Sequence, residues 1–253
     1  MKKFEEGAEF RSHLDGSKHL FTPEKVIDIQ LALGSDIIMV LDVCTEYPAT
    51  YERAKEAMEL THRWAKRALL HFQKKIKTLR LRSGNKRPLL FCISQGSVYK
   101  DLRIQSVKYL SSLGFDGIAV GGVSVGEGKA NMVKVMKWVS KYLPKDKPRY
   151  VMGIGEPDDI INAVRYGFDM FDCVLPTRLA RHGTAWLQNS KSKIRNPKQI
   201  TNSKFKYSKI NLNNAKYKTD KKPLDKNCGC YTCKTVLVEL ICLIWFVKKR
   251  CWD

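Results

Sequence analysis

The chain has 253 residues, and its 46 Lys and Arg against 25 Asp and Glu give a formal net charge of +21. So large an excess of positive charge points to a polyanionic partner, most often nucleic acid. A hydrophobic fraction of 43% excludes a chain that is disordered throughout.

No apolar run is long enough to span a bilayer, and the N-terminus lacks the apolar core of a signal peptide. We therefore expect a cytoplasmic protein with no membrane contact. In that compartment its eight Cys indicate reduced thiols or a metal site rather than disulfides.

Short apolar runs alternate with amphipathic patterns along the chain and predict buried strands between helices. The predicted strands are 37–42, 89–94, 117–122, 150–154 and 170–176. Helices are expected around 54–79, 132–139 and 160–164, and a sixth strand around 210–212. This alternation is typical of a parallel sheet covered by helices, which is an α/β fold.

A polar or glycine-containing turn follows each predicted strand. Functional groups collect at strand C-termini both in (β/α) barrels and in doubly wound sheets, so this pattern alone does not separate the two folds. Five predicted strands are fewer than the eight of a closed barrel.

The segment 187–226 contains twelve Lys and Arg against two Asp and supplies about half of the net charge. Its Asn, Ser and Lys content predicts a basic, largely irregular insertion. Two interpretations stay open, a nucleic-acid contact and a solvated loop without a partner.

Two carboxylates, Asp42 and Asp172, lie at the ends of predicted strands. A carboxylate in that position can act as a nucleophile, as a general base or as an acceptor for a bound heterocycle, but it can also cap the next helix. The pair Gly121-Gly122, and Gly153 with Gly155, would let a planar ligand approach the backbone closely.

Cys228, Cys230 and Cys233 place three thiols within six residues, a spacing that suits one Zn²⁺. A structural zinc normally takes four ligands, and no His follows His182 in the sequence. We therefore expect weak or substoichiometric zinc binding.

Seven motifs, taken in order, resemble the bacterial tRNA-guanine transglycosylase (queuine tRNA-ribosyltransferase) family. They are Phe-Arg-Ser-His-Leu-Asp-Gly-Ser-Lys-His at 10–19, Leu-Gly-Ser-Asp-Ile-Ile-Met at 33–39, Gln-Gly at 95–96, Gly-Phe-Asp-Gly at 114–117, Gly-Gly-Val-Ser-Val-Gly-Glu at 121–127, Asp-Lys-Pro-Arg-Tyr at 146–150 and Asp-Met-Phe-Asp-Cys-Val-Leu-Pro-Thr-Arg at 169–178. Pro-Leu-Asp at 223–225, before the three Cys, continues the match. The resemblance covers about 7–188 and 208–233.

This resemblance implies a partial TIM (β/α)8 barrel with a zinc-binding insertion near the C-terminus. It implies an enzyme, a pentosyltransferase, that exchanges the wobble guanine of GUN-anticodon tRNAs for 7-aminomethyl-7-deazaguanine. The implied partners are tRNA, the deazaguanine base, and either a second copy of the chain in a homodimer or a complementing N-terminal chain.

The resemblance also implies site residues. Asp172 corresponds to the nucleophile, while Asp42, Gln95, Gly122 and Met152 correspond to base contacts. The implied tRNA contacts are Gly153, Ile154, Gly155, Glu156, Pro157, Asp158, Asp159, Thr177, Arg178, Leu179, Ala180 and Arg181. Cys228, Cys230 and Cys233 match three of the family's four zinc ligands.

The expected organisation has four parts. A partial barrel with the base site occupies 1–188, the basic insertion 189–207, the barrel end with the zinc subdomain 208–233, and a divergent tail 234–253. Two positions depart from the family pattern, because Val43 replaces a usual Glu and Glu156 a usual Lys.

The family has about a hundred further residues before these motifs, including an Asp that acts as general base. We therefore expect the product of a split or decaying gene. Three functional hypotheses follow: an active transglycosylase, alone or completed by a second chain; a non-catalytic tRNA-binding or partner protein; and a remnant without a stable fold.

Overall fold

The computed structural model describes residues 2–78, 87–188, 207–226, 228–229 and 231–235. The chain divides into two compact units. The first comprises Met1–Ile154 and Ile161–Asp172, and the second comprises Gly155–Ile160 and Cys173–Asp253. The boundaries of the four predicted parts stay a prediction, and most of 189–207 and of 234–253 lies outside the described residues.

The first unit begins with an antiparallel sheet that the sequence patterns did not predict. Its strands are β1 (Lys2–Lys3), β2 (Ala8–Arg11) and β3 (Lys18–Phe21). Helix α1 (Pro23–Ala32) follows, and the Thr22 hydroxyl caps it by accepting the Lys25 backbone N–H at 3.1 Å.

Five parallel strands form the central sheet of this unit. They are β4 (Ile37–Met39), β5 (Leu89–Ser94), β6 (Gly117–Val120), β7 (Arg149–Val151) and β8 (Met170–Phe171). Each strand pairs with the next one along the chain, so the sheet order is β4-β5-β6-β7-β8. A doubly wound sheet reverses its order part-way, whereas a (β/α) barrel does not. The predicted α/β fold is confirmed, and the sheet has the strand order of half a barrel.

Helices connect the strands. They are α2 (Tyr51–Thr78), α3 (Lys100–Ser111), α4 (Gly128–Val139) and α5 (Pro157–Arg165). The predicted helices match α2, α4 and α5, while α3 was not predicted. Within the described residues, no helix combines the length and apolarity needed to cross a bilayer.

The core lies between the sheet and its helices. Phe91, Ile118 and Val120 of the strands are at most 1% exposed, and so is Val135 of α4. Trp64 of α2 is fully buried, packs with Ala8 of β2 and donates from its indole Nε1 to the Glu5 carbonyl at 2.9 Å. The long helix thereby holds the N-terminal sheet.

The second unit contains α6 (Leu175–Arg181), β9 (Thr184–Gln188), β10 (Tyr207–Asn211) and α7 (Tyr231–Thr235). β9 and β10 pair antiparallel in a sheet of their own. The sixth strand expected near 210–212 is therefore present as β10, but it does not extend the parallel sheet.

Candidate active site

The five predicted catalytic and base-binding residues lie at the edge of the parallel sheet that is formed by the carboxyl ends of its strands. Each follows a different strand: Asp42 comes after β4, Gln95 after β5, Gly122 after β6, Met152 after β7 and Asp172 after β8. The carboxyl ends of parallel strands meet at the same edge of a sheet, so these residues occur there in chain order. That edge is where (β/α) barrels place their active sites.

Asp42 and Gln95 contact each other directly. The Gln95 side-chain Nε2 donates to Asp42 Oδ2 at 2.5 Å. Gln95 is only 1% exposed, and among the described residues its buried Oε1 has no hydrogen-bond partner. A buried polar atom without a partner is uncommon in folded proteins, so this oxygen lacks a donor among the described residues.

Two glycines make room for these side chains. A Cβ at Gly121 would lie 2.8 Å from Gln95 Nε2, and one at Gly122 would collide with Gln95 Oε1. Gly122 also has a φ of +59°, in the left-handed region that favours glycine. Backbone and amide can therefore converge on a flat ligand only because no side chain lies between them.

Burial raises the pKa of the Asp42 carboxyl above its ordinary value. The hydrogen bond from Gln95 and the positive charge of Lys3 oppose this effect but do not cancel it. The site therefore contains a carboxylate that lacks enough hydrogen-bond donors, as expected for a group that receives them from a ligand.

Asp172 is exposed at the end of β8 and is held through one oxygen. Its Oδ1 accepts the Tyr150 hydroxyl at 2.6 Å and the Gly153 backbone N–H at 3.0 Å. Burial, and then the hydrogen bond to Asp172, raise the pKa of Tyr150. Neither Asp42 nor Asp172 caps the helix that follows it. At the start of α2, Thr50 Oγ1 accepts the Arg53 backbone N–H at 3.2 Å, and the cap residue of α6 is Val174.

Tyr150 was missed in the sequence, although a signal exists. It lies on β7, two positions before Met152, which directly follows the strand, and residues two apart in extended chain share a face. A tyrosine on that face can contact the end of the next strand.

The predicted tRNA contacts fall in both units. In the first unit, Gly153 binds Asp172 and Ile154 is only 2% exposed. In the second, Glu156 Oε1 forms an ion pair with Lys209 Nζ at 3.1 Å. Asp159 of the same unit is only 8% exposed. Ile154 and Asp159 are therefore poorly placed for side-chain contacts with RNA.

The remaining predicted contacts include residues 177–181 of α6, in the second unit. None of the helix's side chains is buried, and Arg178 and Arg181 are exposed. Their assignment as tRNA contacts, like the other site roles, stays a prediction.

The predicted metal site is described only in part. Cys228 and Cys233 have intermediate exposure, Cys233 lies on α7, and Cys230 lies outside the described residues. Among the residues that the structure does describe, no group of three or more potential ligands is assembled. The donor set of three thiols nevertheless fits the chemistry that Zn²⁺ prefers.

Comparison with known proteins identifies the family. Residues 1–241 match the family model described as Queuine tRNA-ribosyltransferase. The chain belongs to the queuine tRNA-ribosyltransferase family. The match reaches residue 241, further than the motifs predicted.

Individual relatives agree with this membership. Three proteins named Queuine tRNA-ribosyltransferase come from Caldanaerobacter subterraneus subsp. tengcongensis (48% identical), Thermoanaerobacter sp. (47%) and Acinetobacter baylyi (46%). Each match covers 91% of this chain but only 53–54% of the relative. The chain thus spans about half the length of the curated relatives it matches.

The raised pKa of Asp42 predicts how pH changes stability. The ordinary pKa of this carboxyl is 3.8 and its pKa in the folded chain is higher, so the folded chain binds the proton more tightly than the unfolded chain does. This tighter proton binding stabilises the fold at low pH. The stabilisation is lost as pH rises through the folded-state pKa, and a tenfold difference between the folded and unfolded acid constants corresponds to about 1.4 kcal/mol. Asp42→Asn should therefore raise the free energy of unfolding at pH 8 and have little effect at pH 3.5.

Urea denaturation at both pH values measures this difference. Asp36→Asn, at an exposed position before β4, is the matched control and should not reproduce the effect. If Asp42→Asn were less stable than the wild-type chain at pH 8, the prediction would be wrong, because the ionised carboxylate would then stabilise the fold.

Proposed function

We propose that this chain performs the transglycosylase reaction of its family, exchanging the wobble guanine of GUN-anticodon tRNAs for 7-aminomethyl-7-deazaguanine in queuosine modification. The observation that supports this most strongly is the placement of a base-recognition cluster and an exposed, oriented carboxylate on one edge of one sheet. We also propose the finer architecture of a partial TIM barrel with a zinc-binding insertion, in a cytoplasmic protein.

Recognition of the base rests on complementary hydrogen-bonding groups. The Asp42 carboxylate would accept the N1–H and 2-amino protons of guanine, as anionic acceptors bind such paired donors strongly. The Gln95 amide and the Gly122 backbone N–H would bind the O6 side of the base. Met152, half-buried after β7, would pack against the ring.

The chemistry rests on Asp172. Its carboxylate would attack the anomeric carbon of the ribose through an oxocarbenium-like transition state, and the bond from that carbon to the guanine nitrogen breaks. The leaving guanine takes the bonding electrons and a proton. The incoming base then loses a proton, attacks the same carbon and releases the carboxylate.

Tyr150 and Gly153 would serve both steps by orienting Asp172. Their hydrogen bonds to Oδ1 fix the carboxylate before the attack. The same donors stabilise the negative charge that returns to Asp172 when the glycosyl ester is cleaved.

A covalent intermediate tests this role. The chain, a GUN-anticodon tRNA and a 7-deazaguanine base are incubated and run on a denaturing gel, and we expect a shifted protein–RNA band. Asp172→Ala should abolish the band, while Asp36→Asn should keep it. A band that persists in Asp172→Ala would reject Asp172 as the nucleophile.

Absence of the band from the wild-type chain would instead support the second candidate function, a non-catalytic tRNA-binding or partner subunit. The concentration of positive charge in 187–226 favours that candidate. A gel shift with the same tRNA, weakened steeply by salt, would then distinguish it from an inert remnant.

We further propose that Cys228, Cys230 and Cys233 hold Zn²⁺. The metal would supply a structural cross-link of the loop that precedes α7. Metal analysis of chain purified without chelators should find less than one zinc per chain, and Cys233→Ser should lose most of it. Cys44→Ser, at an exposed thiol, is the control. Unchanged zinc in Cys233→Ser would refute the assignment.

A further inference from the structure

Arg103, in the first turn of α3, has a fully buried side chain. Burial lowers the pKa of its guanidinium to about 10, while the negative charge of Glu127 partly opposes this effect. The guanidinium is therefore still charged at neutral pH. A buried charge is unfavourable unless it is hydrogen-bonded, so its partners indicate why it is there.

The partners are four backbone carbonyls, one on the last residue of β5 and three on the loops that follow β5 and β6. Nη1 donates to the carbonyl of Ser94, which ends β5, at 3.2 Å, and Nε donates to the Ser97 carbonyl in the loop after it at 2.6 Å. After β6, Nη1 donates to the Gly121 carbonyl at 2.6 Å and Nη2 to that of Gly122 at 2.7 Å. These are the loops on which Gln95 and Gly122 lie.

Both loops have unusual backbone conformations at these contacts. Ser97 has a φ of +49° and Gly122 of +59°, and Gly96 lies between Ser97 and Gln95 with a φ of +133°. Such conformations persist only when surrounding contacts enforce them. The guanidinium supplies contacts of this kind to both loops at once.

Because the peptide group is planar, the contacts of Arg103 with these carbonyls also fix the direction of the N–H groups that follow them. In a trans peptide the C=O and the following N–H point in opposite directions. Because Arg103 binds the Gly121 carbonyl, the Gly122 N–H points away from the guanidinium. In the same way, the Ser94 carbonyl faces Arg103 and the Gln95 N–H donates to the Ser106 hydroxyl at 3.2 Å.

We propose that Arg103 is a positioning residue for base recognition, which orients the Gly122 N–H and the Gln95 backbone without touching the base. This inference rests on the proposed function. It adds to that function a residue outside the pocket that sets the direction of the Gly122 N–H and the position of the backbone that carries the Gln95 side chain. A side chain that merely filled the core would not direct all its hydrogen bonds to these two loops.

The chain offers a matched control at the opposite edge of the sheet, where the strands begin. Arg149 is 9% exposed and donates to the carbonyls of Pro144 at 2.6 Å, Leu143 at 2.9 Å and Gly167 at 3.3 Å. These acceptors precede β7 and β8, away from the candidate site. Arg149→Lys therefore perturbs a similar buried network without altering the proposed base contacts.

Calorimetric titration with 7-aminomethyl-7-deazaguanine measures the functional effect. Arg103→Lys keeps the charge but cannot reach four carbonyls on two loops. We expect it to weaken base binding by about 10- to 100-fold, because small misplacements of binding groups cost that much. Arg149→Lys should stay within about twofold of the wild-type chain. Equal affinities in Arg103→Lys and wild type, or an equal loss in Arg149→Lys, would overturn the inference.

Hydrogen exchange without ligand separates this inference from the proposed function. If the wild-type chain does not bind the base, the proposed function fails, and exchange at the amides of 121–123 still tests the positioning. We expect faster exchange there in Arg103→Lys and not in Arg149→Lys. Unchanged exchange at 121–123 would overturn the inference.

Arg103→Gln provides a second variant in case Arg103→Lys does not fold. Circular dichroism and thermal melts identify the folded variants before titration and exchange. If both Arg103 variants are unfolded while Arg149→Lys and Arg149→Gln are folded, the role of Arg103 is structural and the inference is wrong.

Discussion

Hydrogen bonding of five parallel strands in chain order is the constraint on which the candidate site depends. Because β4 to β8 pair consecutively, the residues that follow them are brought to one edge in the same order. Asp42, distant in sequence from Asp172, thereby lies on the same edge of the same sheet. If the strands paired in a different order, the base-recognition residues and Asp172 would be separated, even with the same residues at the strand ends.

Buried polar and charged groups then define the edge chemically. The Asp42 carboxyl has a raised pKa, Gln95 has an unpaired oxygen among the described residues, and Arg103 directs its hydrogen bonds to loop carbonyls. Each of these arrangements is unfavourable in a core selected for stability alone. Together they describe a pocket whose polar groups are held in place for a polar, planar ligand.

The sequence predicted the sheet well because continuous apolar runs are typical of strands buried on both faces. It did not predict α3, since that helix buries Arg103 and Ser106 as well as apolar residues, which obscures the helical pattern. The contact of Tyr150 with Asp172 depends on strand register, and the raised pKa of Asp42 depends on burial, so neither could be deduced from composition or spacing. The roles of the site residues came from family motifs, not from periodicity.

The most direct test of base recognition compares guanine with hypoxanthine, which lacks the 2-amino group, as ligands of the wild-type chain and of Asp42→Ala. If the Asp42 carboxylate accepts the 2-amino proton, the wild-type chain should prefer guanine by about 10- to 100-fold, the value of a hydrogen bond to a charged group. Asp42→Ala should lose that preference. An equal preference in both proteins, or no binding of guanine to the wild-type chain, would contradict recognition of the base at this edge of the sheet.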